Sequence, residues 1–319
     1  MEIPHVFSLF KSVSLEEGWF AIGLSAHGVY LAQVALAGVM PRVLRCEYHS
    51  IGKVTAAALE TLRREAYVGN YDFTTVLAPG EYQMLLVETP NVPATELKSA
   101  IRWKIKDGLS YHVDDATVDI LQIPATKKYG SDHPGSMYAI AAPNSTIQQR
   151  IALFEQAGMA LKVIDIPEMA QRNIAVLFEQ PAHALALLNF DDSGGLLIFT
   201  ADGELCWSRR IDITAGQLHD ADEKLREQSR RRVVLELQRS LDYFARQFSQ
   251  LPLSRLLLSA PEADELARLL AAEVDTQVER LVLSQVMDIS AIPALTDSDF
   301  VAHALHTLGA SLRQERPAP

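Results

Sequence analysis

"WFAIGLSAHGVYLAQVAL", residues 19–36, is the stretch on which the reading of the fold turns. Two apolar runs, Trp19–Leu24 and Val29–Leu36, flank a short turn built on Ser25, His27 and Gly28, which reads as a β-hairpin. A hairpin of this kind can cradle a phosphate with its turn amides, while an aspartate on the first strand handles the metal. Here the turn is present and the aspartate is missing. Either phosphate binding survives, or only its scaffold does.

Bulk properties narrow the choice. A chain of 319 residues suffices for about two domains with a substantial core. With 48% hydrophobic and 22% charged residues, the composition is that of a soluble globular protein. The net charge of −11 argues against general nucleic-acid binding, which needs a basic face. Cys46 and Cys206 match neither a disulfide framework nor a metal pattern, so a reducing compartment is expected. No apolar run approaches the ~18 residues that would span a bilayer. The opening "MEIPHVFSLFKSVSLEE" lacks the basic start and long apolar core of a signal peptide. A soluble, cytoplasmic chain is therefore expected, with "PHVFSLFKSV" a weak candidate for a membrane or partner peptide.

Strands and helices then alternate. "TAAALETLRREAYVG" predicts a helix, and "FTTVLAP" and "YQMLLVETP" predict strands. In "VPATELKSAIRWKIKDGL", Thr95 stands near the expected N-cap, and Leu97, Ile101 and Ile105 recur at helical spacing. "TVDILQIP" and "MYAIAAP" are short strands ended by prolines. "STIQQRIALFEQAG" predicts a helix capped by Ser145 and stopped at Gly158. "LKVIDIP" returns as a strand before the helix "EMAQRNIAVLF".

A second unit begins near Pro181. "HALALLNF", "GGLLIFTA" and "ELCWSRRIDI" read as consecutive strands joined by "DDSGG" and "DG" turns. The longest helix spans about residues 221–250, with Val233, Leu237, Leu241, Phe244 and Phe248 as one apolar stripe. A strand "SRLLLSA", a helix "EADELARLLAAEV", a strand "VERLVL" and a helix "DFVAHALHTLGASLR" close the pattern. Two similar halves predict a bilobed α/β fold.

Specific blocks then point further. "VVLELQRSLDYFARQFSQLPLSRLLLS" (233–259) resembles the MshI family of mannose-sensitive haemagglutinin pilus biogenesis proteins. "ELKSAIRWKIKDGLSYHVDDATVDILQIP" (96–124), "FEQAGMALKVIDIPEMAQRN" (154–173) and "DGELCWSRRIDI" (202–213) look like matching segments. The wider group includes PilM of type IV pili and the cytoplasmic part of GspL of type II secretion. The resemblance covers most of residues 18–313 and implies an actin-like (ribonuclease H-like) ATPase fold, related to FtsA, with a small inserted α+β module.

The resemblance sharpens the question of phosphate. Nucleotide-binding PilM proteins carry a pattern like G-I-D-I-G in the first hairpin. Here Gly23 stands where the aspartate belongs, followed by Ser25 and His27. In the second hairpin Asn189 replaces the acid, and Asp191 and Asp192 put charge beside any phosphate. Near the adenosine end the family favours Gly-Gly, while this chain reads Ser259-Ala260-Pro261. All three departures run toward weaker nucleotide binding.

Other motifs have bland readings that outweigh the sharp ones. His303 and His306, three apart on a helix, suggest a shared metal face, but no third ligand has a known spacing, so packing or surface roles are favoured. Asp191 and Asp192 before Ser-Gly-Gly read as turn formers rather than an acid–base pair. "REQSRRR" (226–232), amid Asp220, Asp222, Glu223 and Glu227, reads as an ion-paired helix face. No serine lies in a G-x-S-x-G elbow, and neither cysteine neighbours a histidine. Arg102, Trp103, Lys104 and Lys106 form a basic-aromatic face on the helix expected at 95–108, with Trp103 balanced between interface and core.

The expectation is a first lobe of residues 18–80 plus 165–182, an inserted module of 81–164, a second lobe of 183–313 and a disordered tail of 314–319. The relic nucleotide cleft comprises Gly23, Ser25, His27, Asn189, Asp191 and Ser259, and the partner face comprises Arg102, Trp103, Lys104 and Lys106. No catalysis, metal or cofactor is expected, ATP with magnesium being the ligand the family would supply. The resemblance implies a cytoplasmic scaffold, peripheral at the inner membrane, that docks a short cytoplasmic peptide of an inner-membrane pilus protein. The hexameric assembly ATPase is a second partner it suggests. An ATPase of the PilM type is the alternative.

Overall fold

A computed structural model describes residues 19–69, 71–123 and 135–314. The segment 1–17, the expected loop at 131–135 apart from Gly135, and the tail beyond residue 314 lie outside the described residues. The opening hairpin forms as expected, β1 Phe20–Leu24 against β2 Gly28–Ala35 in antiparallel register. The next strand, β3 Arg42–Ser50, was not expected; it is a sheet edge whose alternate residues face solvent, so its apolar signal is thin. Helix α1, Ala56–Glu65, is capped by Thr55, whose hydroxyl accepts from the Ala58 amide. Strands β4 Asp72–Val76 and β5 Gln83–Glu88 follow.

Helix α2, Ala94–Ile105, starts after Pro93 rather than at Thr95, and Lys106–Gly108 continue it only as one 3-10 turn. Strands β6 Ala116–Gln122 and β7 Ser136–Pro143 precede α3, Asn144–Gln156, whose N-cap position is Pro143 rather than Ser145. In both helices proline supplies a preset φ at the start, which displaces the hydroxyl expected there. Strand β8, Ala160–Asp165, and α4, Pro167–Ala175, complete the first half.

The second half runs β9 Ala184–Asp191, β10 Gly194–Ala201, β11 Glu204–Ile211 and the short α5 Ala215–Leu218. Then come α6 Glu223–Gln247, β12 Leu253–Ser259, α7 Ala263–Glu273, β13 Val278–Arg280 and α8 Ser298–Ser311.

The halves repeat one topology. The first sheet has the order β3-β2-β1-β4-β8 and the second β11-β10-β9-β12-β13. In each, the three strands of a meander pair antiparallel, and two later strands add in parallel beside the first. The third sheet, β5-β7-β6, is the inserted module, with Ile101 and Ile105 of α2 packed on Val118, Ala139 and Ala141. Strand β8 belongs to the first sheet, and Phe154 of α3 lies in that lobe's outer core with Phe20, Leu59 and Leu62. The module's sheet thus ends at Pro143, earlier than the boundary at 164 that the sequence suggested.

The stripe on α6 is buried as expected at Val233, Leu237, Phe244 and Phe248. Phe244 stacks between Phe199 and Phe248 at centroid distances of 4.3 and 4.9 Å. Burying each such side chain stabilises the lobe by about 1.5–3 kcal/mol. The innermost core lies between the two sheets: Ala21 and Ala32 from the first, Leu187 and Ile198 from the second, Ala170 and Ile174 of α4, and Leu305 and Leu308 of α8. Helices α4 and α8 cross there, so close that a Cβ on Gly309 would stand 2.0 Å from the Ala170 carbonyl oxygen.

Candidate functional site

The expected cleft residues lie at the carboxyl ends of β1, β9 and β12, where open α/β sheets hold ligands. The first hairpin closes on itself: the Ser25 amide and hydroxyl both donate to the Gly28 carbonyl, at 2.9 and 3.0 Å. His27 is exposed at its tip. Gly23 faces α8, where a Cβ at 23 would meet Thr307 Oγ1 at 1.9 Å. Thr307 is itself buried. The space into which an aspartate at this position would project is filled by the chain's own helix.

At the second hairpin the Asn189 amide donates to the Ala302 carbonyl of α8 at 3.2 Å. Asn189 pairs in register with Ser259 of β12, and both are buried. Asn189 Oδ1 and Ser259 Oγ are buried without a hydrogen-bond partner among the described residues. Asp191 turns back into its own loop, accepting from the Ser193 amide at 2.8 Å and the Ser193 hydroxyl at 2.5 Å.

Helix α8 also brings together two pairs that the sequence reading kept apart. His306 Nδ1 lies 3.5 Å from Asp191 Oδ2, and His303 Nε2 lies 3.3 Å from Asp192 Oδ1. His306 Nε2 also meets Gln171 Oε1 of α4 at 3.0 Å. Burial raises the Asp191 carboxyl pKa, but bonds from His306 and Ser193 outweigh it and hold it below the usual range. For His303 burial disfavours the charged ring, while the Asp299 carbonyl and Asp192 favour it and leave its pKa raised. Among the described residues no group of three or more His, Cys, Asp or Glu side chains is arranged to hold a metal ion.

The expected partner face divides. Trp103 is 70% exposed, and Lys106 Nζ sits 3.6 Å from its ring centroid. Arg102 instead donates to the carbonyls of Ala116 and Val113, at 2.8 and 2.6 Å, and Lys104 donates to that of Glu88 at 3.1 Å. Those two cations tie the module together.

On the opposite face of the module's sheet lies a groove of about 570 Å³. Residues 120–123 at the end of β6 form one wall; Leu36, Met169, Arg172, Leu312 and the segment 203–205 are among the residues that line the others. Within the lining Arg313 pairs with the buried Asp165 at 2.9 Å. The module is held to both lobes by one polar cluster: the Tyr82 hydroxyl donates to Glu168 of α4, and Arg210 of β11 donates to Tyr82 at 2.6 Å and Glu168 at 3.1 Å. Sequence spacing held no sign of the groove or of this cluster, because their residues come from distant segments.

No protein-family model matches the chain, and no curated protein matches it in sequence. Solved structures match it in fold. A PilM–PilN type IV pilus biogenesis complex aligns with TM-score 0.71 and 15% identity, over 93% of this chain and 98% of that one. The cytoplasmic domain of EpsL, an inner-membrane component of the type II secretion system of Vibrio cholerae, aligns with TM-score 0.51 and 14% identity, over 90% and 99%. With its duplicated sheets and crossing helices, the chain has the actin-like ATPase fold in bilobed form. Similarity at this identity establishes the fold alone. No helix among the described residues is long and apolar enough to cross a membrane.

Proposed function

We propose that this chain is a non-catalytic cytoplasmic scaffold of a type IV pilus assembly machine, of the mannose-sensitive haemagglutinin type. It docks onto an inner-membrane partner through that partner's short cytoplasmic peptide, with the hexameric assembly ATPase as a further partner. The observation that carries this reading is Thr307 against Gly23, which leaves no room for a metal-handling aspartate. Asp191 on the Ser193 amide adds negative charge where phosphate would bind. These residues do not fit ATP with magnesium. Resemblance to the MshI, PilM and GspL group and the fold shared with a PilM–PilN complex support the pilus assignment.

The groove beside the module suits an extended peptide. Strand β6 is an edge strand, paired in its sheet with β7 alone, and an edge accepts a further strand through main-chain bonds. Leu36, Met169 and Leu312 supply apolar contacts for alternate side chains. The exposed Trp103, with the half-buried Lys106 over its ring, is a separate surface on the far side of the same sheet. The competing reading, an ATPase of the PilM type, draws on the orphaned polar atoms Asn189 Oδ1 and Ser259 Oγ, which a bound nucleotide would have to reach past α8.

Calorimetry of the full chain with a synthetic peptide of a PilN-like partner's cytoplasmic segment tests the docking. Ile123→Glu in the groove should weaken binding tenfold or more, about 1.4 kcal/mol, without unfolding the chain. Trp103→Ala, if the outer face is the anchor, should instead cost about 2 kcal/mol with an unchanged Tm. Absence of binding to the peptide would overturn the docking reading.

A further inference from the structure

We propose that His303 and His306 form a protonation-dependent latch between helix α8 and the second hairpin, holding the two lobes closed across the filled cleft. The geometry carries this. Each ring stands between two acceptors. His303 Nδ1 faces the Asp299 carbonyl at 2.8 Å and Nε2 faces Asp192 Oδ1 at 3.3 Å. His306 Nε2 faces Gln171 Oε1 at 3.0 Å and Nδ1 faces Asp191 Oδ2 at 3.5 Å. The Gln171 amide nitrogen already donates to the Leu187 and Leu196 carbonyls, at 2.8 and 3.0 Å, so its oxygen is what the ring meets.

A neutral imidazole has one N–H and one lone pair; only imidazolium donates from both nitrogens. Loss of a proton therefore turns one contact at each ring into lone pair against oxygen. It also removes the imidazolium charge beside each hairpin aspartate.

Histidine is the side-chain type whose charge changes near neutral pH, so the contacts made by these rings are the ones a modest pH change would alter. The carboxylates facing them are Asp191 and Asp192 of the hairpin and Asp299 of α8; Tyr30 of β2 and Arg210 of β11 in turn interact electrostatically with those carboxylates. Burial, then Tyr48 and the three aspartates, push the Tyr30 phenol up to about 12, so it keeps its proton. Arg210 stays charged against Glu168 and Tyr82.

Position gives the latch its reach. Helix α8 packs on the first sheet through residues such as Thr307, while its imidazoles hold the β9–β10 hairpin of the second. Past its last turn, Leu312 and Arg313 line the groove beside the module. A shift of α8 against the second hairpin is thereby felt at both places.

The test needs no partner, so its outcome is separate from that of the docking reading. Lys53→Cys and Gln228→Cys, both exposed, take spin labels on the first and second lobes. Cys46 and Cys206 are buried, which pushes their thiols up to about 12 and keeps them unreactive. Electron–electron double resonance should give a narrow interlobe distance at about pH 5.5 and a longer or broader one at about pH 8.5. His303→Gln with His306→Gln should give the broad distribution at both values; if that variant does not fold, His303→Gln alone should lose part of the response. A wild-type distance that ignores pH, or a full response surviving in the variants, would overturn the latch.

Discussion

Thr307 Oγ1 lies 1.9 Å from where the Cβ of any larger residue at position 23 would stand. The small residue in the first hairpin is thus matched to a helix near the end of the chain. Thr307 is β-branched and buried, with little freedom to swing aside. Gly23→Ala should destabilise the fold by about 1–3 kcal/mol, and Gly23→Asp by more, because its carboxylate would be desolvated. Adding Thr307→Ala should recover most of the alanine penalty, since the nearest remaining Thr307 atom is Cβ at 3.2 Å. Chemical denaturation of the double-mutant cycle measures the coupling.

Gly309 is the contrasting case. Its neighbour is the backbone carbonyl of Ala170, at 2.0 Å from a built Cβ, so no side-chain change relieves the overlap. Gly309→Ala should cost about 3 kcal/mol, at the upper end of overpacking effects. Ala170→Gly in the same chain should not rescue it. Recovery of stability in that pair would mean that α4 and α8 are less tightly crossed.

The folds of the two lobes were legible in the sequence, and the contents of the cleft only in part. Strand alternation, with the turn residues Ser25, His27 and Gly28 in one half and Asp191, Asp192 and Ser-Gly-Gly in the other, exposed both hairpins, because turn chemistry is local. The edge strand 42–50 escaped, since half of its residues face water. Gly23 and Asn189 were singled out because the resemblance implies acids at those positions, whereas their contacts on α8, Thr307 and the Ala302 carbonyl, were not legible. His303 with His306, and Asp191 with Asp192, were each read as separate pairs. Their meeting follows from α8 folding back onto the first sheet, which no spacing rule encodes.

The hairpin–helix contacts set a pH profile. His303 has a raised pKa, so its contribution is complete below the ordinary histidine value of about 6.5 and is lost as pH rises through the folded value. Asp191 has a lowered pKa, so its contribution is present above the ordinary value of about 3.9 and is lost as pH falls through the folded one. Stability from this pair should peak between those two values. Thermal denaturation across pH should show His303→Gln flattening the alkaline limb and leaving the acid limb in place.

The cluster of Tyr82, Glu168 and Arg210 should govern how firmly the module sits. Burial and then Glu168 push the Tyr82 phenol pKa up, so its hydroxyl stays a donor at all ordinary pH. Tyr82→Phe removes one bond to the buried Glu168 and leaves Arg210 as its partner. The loss should be about 1–3 kcal/mol, read by denaturation. Hydrogen exchange should rise in strands 83–88 and 136–143 before it rises in either lobe.

The central claim is that this actin-like fold is kept for its surfaces while its nucleotide cleft is filled from within. Calorimetric titration of the purified full chain with ATP, with and without magnesium, tests it most directly. The account predicts no saturable heat at micromolar ATP under either condition. Saturable micromolar binding, with ATP ordered between the lobes in a crystal of the same protein, would contradict it.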